Sequence, residues 1–374
     1  MPTLIEQLHT LPDPRQSSKC AHRLGDIVFM VLCGLLAGAD DWKSIARYAR
    51  EKEAWFRRYL MLPNGIPSYH TFNRVISILP PDSFHDLFIQ WVQATLLDGD
   101  NAIGVVAVDG KTQRGSRTTT HAGIHTVNAW STEAGICLGQ LKTDDKSNEI
   151  TAVPKLLKKL AIKGCLVTAD AMSCQLKITQ QIRNKKADYL LAVKKNQQTL
   201  YEMIDQQFMT YWATHPDDQP DTPPFDEQTT QAHGRREHRR CWVCPAVNVD
   251  PQFSKWGIKT LAAVQYDRVK GHRCDSNVRY FISSRSMEAD ALLKATRQHW
   301  SVENALHWVL DVAFNEDHSR ARQGFAAENL ATARQIALNL LKQDKGTKMG
   351  IANRRKLCGW SQDYLEQILV QVVS

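Results

Sequence analysis

The stretch GVVAVDGK, Gly104–Lys111, marks the point where the character of the chain changes. It is a short run of β-branched and apolar residues that ends at Asp109, which is typical of a buried strand. The run CLVTADA, Cys165–Ala171, repeats the arrangement and ends at Asp170. Further strand-like and helix-like segments accompany them: HTVNAW, ICLGQLK and DYLLAV as strands, SNEITAVPKLLKKL and SCQLKITQQIRNKK as helices. Three strands followed by alternating helix and strand predict an α/β sheet of mixed direction.

Upstream of this change, residues 1–95 are predicted to be all-helical. The segment YHTFNRVISIL follows a Pro-Ser turn, and Ser68 is a plausible helix N-cap. Such a short helix is either a DNA recognition helix, with His70, Asn73 and Arg74 pointing outward, or a simple member of a helical bundle.

The most apolar part of this region, KCAHRLGDIVFMVLCGLLAGA (19–39), resembles a signal peptide in outline. It begins too deep in the chain for that role, however, and its apolar run is too short to span a bilayer. Helical periodicity also continues beyond it. We therefore predict a buried helix in a cytoplasmic protein without a membrane segment.

Composition agrees with a soluble globular protein, since 43% of the residues are hydrophobic and 23% are charged. The net charge of +8 favours a polyanionic partner. Nine cysteines are scattered along the chain, a pattern that suits a reducing compartment. The close pair Cys241 and Cys244 is either half of a zinc site or two ordinary strand cysteines.

Beyond residue 209 the pattern changes again. Residues 210–230 are rich in Pro and Asp and are predicted to form a loop, and the strand-like pieces behind them predict an antiparallel insertion. Helical periodicity returns near residue 286. The predicted organisation is a helical N-terminal domain that is a candidate for DNA binding (1–95), the first part of the core (101–209), a β-rich insertion (210–285), the rest of the core (286–345) and a C-terminal tail (346–374).

Asp109 and Asp170 are candidates for chemistry because functional groups collect at the carboxyl ends of strands in open α/β sheets. The alternative is that each aspartate only serves a turn or caps a helix. Two neighbouring carboxylates repel by about 4 kcal/mol at about 4 Å and an effective dielectric near 20. A divalent cation removes that repulsion, and carboxylate ligands favour Mg²⁺ or Mn²⁺. A third acid would complete a two-metal site for phosphoryl transfer.

The third acid is expected from HWSVENALHWVLDVAFNED, His299–Asp317. Helical geometry places Glu303 at the edge of the apolar stripe of this segment, which makes it the best candidate. Asp311 is the second candidate. Glu316 and Asp317 lie at or beyond the predicted helix end, where capping or solvation explains them.

Several of these motifs resemble the DDE transposases of bacterial insertion sequences, and most closely the H-repeat-associated proteins of Rhs elements. The blocks that carry the resemblance are AVDGKTQRGS, LGQLKTDDKSNEITAVPKLL, VTADAMSCQ, DYLLAVKKNQ, HGRREHRR and HWSVENALHWVLDVAFNEDHSR, and the N-terminal region matches as well. The resemblance implies a ribonuclease H-like core interrupted by a β-rich insertion. It also implies that Asp109, Asp170 and Glu303 are catalytic and hold metal, Mg²⁺ or Mn²⁺ and two ions.

The implied reaction is cleavage at transposon ends, followed by attack of the freed 3′-hydroxyl on target DNA, with self-association on double-stranded DNA. In the wider superfamily a Tyr-x2-Arg-x3-Glu-x6-Lys pattern surrounds the third acid. Only Glu303 matches it here, and His299 stands in the arginine position. The predicted DNA contacts are Lys111, Arg114, Lys194, Lys195, His299 and Arg74. Three alternatives remain open: a catalytically inactive relic, a non-catalytic DNA-binding protein and a metal-dependent DNA nuclease.

Overall fold

The computed structural model describes residues 3–96, 104–119, 122–143, 149–214, 225–232, 235–247, 249–270 and 273–373. Residues 215–224, within the loop predicted at 210–230, lie outside these ranges. Within the described part of the chain, no helix combines the length and the apolar character that crossing a bilayer requires.

The chain divides into two compact units. Unit 1 contains Met1–Ala102, Gly110–Asn148 and Glu303–Ser374, and unit 2 contains Ile103–Asp109 and Glu149–Val302. The five predicted domain ranges stay predictions.

The helices of unit 1 come from the two ends of the chain. They are α1 (Leu4–His9), α2 (Leu24–Leu36), α3 (Trp42–Glu51), α4 (Glu53–Phe56), α5 (Tyr69–Ile78), α6 (Pro81–Trp91), α11 (Trp308–Ala313), α12 (Ala326–Gln343), α13 (Ile351–Trp360) and α14 (Gln362–Val373). The helices of unit 2 are α7 (Glu149–Lys159), α8 (Leu176–Asn184), α9 (Gln198–Thr214) and α10 (Ala289–His299).

The strands form one nine-stranded sheet in the order β3-β2-β1-β4-β5-β9-β8-β7-β6. They are β1 (Val105–Gln113), β2 (Ile124–Ser131), β3 (Ile136–Lys142), β4 (Leu166–Ala169), β5 (Asp188–Val193), β6 (Phe225–Ala232), β7 (Arg235–Pro245), β8 (Thr260–Lys270) and β9 (Arg273–Ser283). Strand β4 is parallel to β1 and to β5, while β2 with β3 and the run from β5 to β6 are antiparallel. The predicted mixed α/β sheet, the β-rich insertion and the helical N-terminal region are confirmed.

The bounds of one predicted segment are wrong. The loop predicted at 210–230 is shorter, because α9 continues to Thr214 and β6 begins at Phe225. Residues 346–374, the predicted C-terminal tail, contain the helices α13 and α14. Pro and Asp are concentrated within 215–224. Because the prediction used the composition of the whole range 210–230, it assigned the end of α9 and the start of β6 to the loop.

The core of unit 2 lies between α10 and the sheet. The apolar face of α10 contains Ala289, Leu292, Leu293 and Ala295. These residues form one buried cluster with side chains of β1, β4, β5, β7, β8 and β9. Alternate residues of β7 and β8 point toward this helix, as expected for strands with one buried face. The cysteine of β7 that belongs to this core, Cys241, is fully buried, and burial raises the pKa of its thiol.

Unit 1 is organised around α12, which is buried along nearly its whole length between α2, α5, α6 and β3. Its polar face satisfies the backbone of β3. The Asn339 amide accepts a hydrogen bond from the Cys137 N–H (2.9 Å) and donates one to the Cys137 carbonyl (2.8 Å). Gln335 donates to Asn128 and Gln140, on β2 and β3 respectively (2.6 and 2.8 Å). Asn339 thus pairs with the backbone of Cys137 as a residue of a neighbouring strand would, while Gln335 contacts side chains of β2 and β3.

We expect Asn339→Ala to destabilise unit 1 by about 2–5 kcal/mol, because it leaves a buried N–H and a buried C=O of Cys137 without partners. Thermal or denaturant unfolding of the full chain measures the loss. Asn353→Ala, which removes an exposed amide from α13, is the matched control and should change stability little. Equal stability of the two variants would contradict the assigned role of Asn339.

Candidate active site

Asp109 and Asp170 belong to one unit, and the register of β1 with β4 places them side by side. Val108 is paired with Ala169, the last pair of a parallel ladder that starts at Val105 and Leu166. Asp170 directly follows β4, as predicted, whereas Asp109 is the first residue of β1 beyond the parallel ladder and does not end its strand, because β1 continues to Gln113. Adjacent parallel strands lie about 4.8 Å apart, so the two carboxylates start from neighbouring backbone positions at the same edge of the sheet. Both residues are half-buried.

The surroundings of Asp170 disfavour its negative charge. Burial, followed by the charge of Glu149, raises the pKa of Asp170 above its ordinary value, while the Met172 N–H and the charge of Lys194 act in the opposite direction. One carboxylate oxygen of Asp170 accepts the Met172 N–H at 3.1 Å. Asp170 therefore also caps a short 3-10 turn, as the alternative interpretation expected, and a bound cation would relieve the cost of its ionised form.

Strand β5 brings cationic groups to the same edge. It is parallel to β4 in the register Leu191 to Ala169, so Lys194 and Lys195 follow its carboxyl end. Both lysines are exposed. Asn196 donates a hydrogen bond to the Ala171 carbonyl at 2.8 Å, which fixes this segment against the turn that follows Asp170. The structure thus groups Lys194 with the two aspartates, although its predicted contact with DNA stays a prediction.

His299 lies at the end of α10 and is hydrogen-bonded through Nδ1 to the Thr168 hydroxyl of β4 at 3.0 Å. Burial lowers the pKa of His299 to about 4. At neutral pH this side chain is uncharged and cannot replace the positive charge of an arginine. If it contacts DNA, it does so as a neutral hydrogen-bonding group.

Glu303 begins a π-helical segment, Glu303–His307, that belongs to unit 1 and continues into α11. The helical periodicity predicted from near residue 286 does not correspond to one continuous α-helix, since α10 ends at His299. A π-helical turn adds one residue to each hydrogen-bonded ring and often occurs at functional sites. The side chain of Glu303 is exposed.

Lys111 was predicted to contact DNA, and the structure places it in a buried ion cluster of unit 1. Its ammonium lies 2.6 Å from Asp311 Oδ1 and 2.9 Å from Glu316 Oε2, and only 6% of the side chain is exposed. Arg334, which is fully buried on α12, lies 3.7 Å from the other carboxylate oxygen of Glu316. Coulombic attraction and hydrogen bonds from these carboxylates outweigh burial and raise the pKa of Lys111.

This ion cluster changes the interpretation of two acids, Glu316 and Asp311. Glu316 is not a solvated helix-end group, since its side chain is 2% exposed. Asp317 has a capping role, because it accepts the N–H of Arg114, the first residue of the 3-10 turn after β1, at 2.9 Å. Asp311, the second candidate for the metal site, is ion-paired with Lys111. No periodicity signal could have found this, because Lys111 lies far away in the sequence.

The remaining predicted DNA contacts also lie in unit 1. Ser68 caps α5 by accepting the Thr71 N–H at 3.3 Å, as predicted. His70 and Arg74 are exposed, whereas Asn73 donates to Gln323 at 2.9 Å and so faces the protein. Arg114 is exposed in a 3-10 turn after β1.

Asp109 and Asp170 suit Mg²⁺ or Mn²⁺ as ligands, because both side chains supply carboxylate oxygens. Two such carboxylates make an incomplete site. In the described ranges, no group of three or more His, Cys, Asp or Glu side chains is arranged to hold a metal ion.

We expect His299 to stay neutral from about pH 8 down to about pH 5, since burial disfavours its charged form. Imidazole NMR shifts followed against pH measure this, and a His299→Asn variant identifies the resonance. Because its folded pKa lies below that of the unfolded chain, its contribution should make the protein less stable as pH falls from about 6.5 toward about 4. A folded-state midpoint near pH 6.5 would be inconsistent with the burial of this ring.

We expect Lys111→Met to destabilise the protein by about 3–5 kcal/mol, because it leaves the buried Glu316 without its closest partner and with only Arg334 at 3.7 Å. The double variant Lys111→Met/Glu316→Gln should recover part of the loss. Unfolding midpoints measure both, with the exposed Lys356→Met as control. A stable Lys111→Met variant that had lost only DNA binding would restore the original assignment of Lys111.

Comparisons with known proteins agree with the motifs. Residues 100–340 match the family described as "Transposase DDE domain", and residues 5–92 match "DDE_Tnp_1-associated". The chain is 40% identical to "Putative transposase YncI" of Escherichia coli O157:H7, over 98% of this chain and 94% of that protein. It is 37% identical to "H repeat-associated putative transposase YhhI" of Escherichia coli K12, over 98% and 97% of the two chains.

A solved structure of a piggyBac transposase synaptic complex with hairpin DNA is also similar, with a TM-score of 0.47 and 11% identity over 98% of this chain and 78% of that one. The paired aspartates in a mixed sheet, the DGK and TAD motifs and the family match over residues 100–340 agree with one another. The chain belongs to the DDE transposase family.

Proposed function

We propose that this protein cleaves the ends of an insertion sequence and joins the freed 3′-hydroxyl to target DNA. The observation that carries the proposal is the pairing of Val108 with Ala169, which puts Asp109 and Asp170 at neighbouring positions on the same sheet edge. Two acids in this arrangement, with exposed lysines beyond the next parallel strand, suit the binding of a phosphodiester through metal ions.

Within this proposal, Asp109, Asp170 and Glu303 hold the metal. When bound, two Mg²⁺ or Mn²⁺ ions supply the charge that activates the attacking oxygen and stabilises the leaving oxygen. Asp170 contributes a carboxylate whose position is fixed by the Met172 N–H. Lys194 and Lys195 bind the phosphate backbone as point charges next to these carboxylates. His299 is a neutral contact held in place by Thr168.

The assignment of Glu303 rests on its motif, HWSVEN, and on the exposure of its side chain at the start of a π-helical turn. The proposal also includes double-stranded DNA as substrate, self-association on the two transposon ends and a cytoplasmic location. Free cysteines at all nine positions support a reducing compartment. A nuclease that cuts without joining, an inactive relic and a non-catalytic DNA-binding protein are the competing functions.

We expect Asp109→Asn, Asp170→Asn and Glu303→Gln each to abolish Mg²⁺-dependent nicking of the element's end DNA, with losses of similar size, since residues of one site are not additive. Gel assays of strand cleavage measure nicking, and transfer of labelled ends to a second duplex measures joining. Asp290→Asn removes an exposed acid from α10 and is the matched control.

The outcomes separate the competing functions. Nicking without joining identifies a nuclease, and DNA binding without metal-dependent nicking identifies a relic or a binding protein. If wild type and the three acid variants nick equally, the assignment of the acids is wrong.

A further inference from the structure

We propose that unit 1 carries a DNA-binding surface of its own, composed of residues other than the candidate metal ligands, which we call the arginine track. Its members are Arg74, Arg114, Arg117, Arg320 and Arg322, and all of them are exposed. The inference rests on the proposed function, because DNA is the partner, and it adds a contact surface that the reaction itself does not require.

The central part of the track is the segment Ser319–Phe325, which precedes α12 in the chain. This segment contacts the turn after β1 at one end and α5 at the other. At one end, the Arg322 Nε donates to the Gly115 carbonyl at 3.0 Å. The backbones meet so closely there that a Cβ on Gly115 would lie 2.5 Å from the carbonyl oxygens of Asp317 and Ser319. Only glycine permits this contact, so the segment is held firmly against the 3-10 turn Arg114–Ser116.

At its other end the segment is fixed to α5. The Phe325 N–H donates to the Ser77 carbonyl at 2.8 Å, and Asn73 donates to the Gln323 side chain at 2.9 Å. Gly324 has a φ of +47° and approaches the Ser77 carbonyl closely. The segment is therefore preorganised, which lowers the entropy cost of presenting its arginines to a ligand.

The charges of the track are available to an anion. Arg74, Arg117 and Arg320 form no ion pair with any residue in the described ranges. The side chain of Arg114 is 86% exposed and lies only loosely beside Asp317, at 3.7 Å. The nearby acids Asp40 and Asp41 have partners within the protein, since Asp40 is ion-paired with Arg355 and Asp41 caps α3.

The distribution of the track charges favours duplex DNA over a small anion. The five arginines come from three separate segments: α5, the turn after β1, and Ser319–Phe325. Separate cations on a surface suit the repeated phosphates of a duplex, whereas a small anion needs converging donors. The neighbouring face of α5, with His70 and Tyr69 exposed, continues the surface toward Lys43 of α3, whose ammonium lies 5.7 Å from the Tyr69 ring centre.

The test compares two triple variants of the full chain. Arg74→Gln/Arg117→Gln/Arg320→Gln removes three track charges that have no internal partner. Lys345→Gln/Lys348→Gln/Lys356→Gln removes the same charge from exposed positions outside the track in the same unit. Fluorescence anisotropy with a labelled 30-base-pair duplex of random sequence measures affinity at several NaCl concentrations, and thermal unfolding verifies that both variants fold.

We expect the track variant to bind at least about tenfold more weakly and to lose about three units of the slope of log K against log [NaCl], while the control variant keeps the wild-type slope. A steep wild-type slope that the track variant shares would overturn the track and leave the proposed function standing. A nearly flat wild-type slope would overturn DNA as the partner and the proposed function with it.

Discussion

The parallel pairing of β1 with β4 is the constraint on which the candidate site depends. Parallel strands end at the same edge of a sheet, so one register decides which side chains meet there. A slip of one residue would move one aspartate out of line and turn its side chain to the other face. The observed register aligns Val108 with Ala169 and therefore leaves Asp109 and Asp170 as neighbours. Burial and the charge of Glu149 raise the pKa of Asp170, so a nearby cation would favour its ionised form.

Strand β1 has a second role two residues further on. Lys111 is buried between Asp311 and Glu316, and Glu316 in turn faces the buried Arg334 of α12. Buried charges of this kind are tolerated only when each has a partner, so the cluster ties the end of β1 to the segment after α11 within unit 1. The motif DGK therefore combines a candidate metal ligand with a structural ion pair, and a lysine next to a catalytic motif need not be a substrate contact.

Much of the architecture followed from local pattern. Apolar β-branched runs predicted most of the strands, and 3.6-residue periodicity predicted most of the helices. The errors arose where local pattern carries little information. The helix break at Trp300 and the π-helical turn at Glu303 occur inside a continuous helical periodicity. The end of α9 and the start of β6 were mispredicted as loop, because loop propensity was averaged over the whole range 210–230. The strand-like pairing of Asn339 with β3 needs two segments that are distant in the chain.

The sequence by itself determined the family and the candidate acids, because Asp109, Asp170 and Glu303 stand in short motifs whose residue types suit metal-dependent phosphoryl transfer. It also determined that α2 is a buried helix, since its apolar run has no polar face. Only the tertiary structure decided which charged groups are exposed, ion-paired or desolvated. Exposure, ion pairing and desolvation depend on residues far apart in the chain, and they made Lys111 structural, Glu316 buried and His299 neutral. The same long-range packing fixed the segment of Arg320 and Arg322 against the turn of Arg114 and against α5, which carries Arg74, and no spacing in the sequence reveals this.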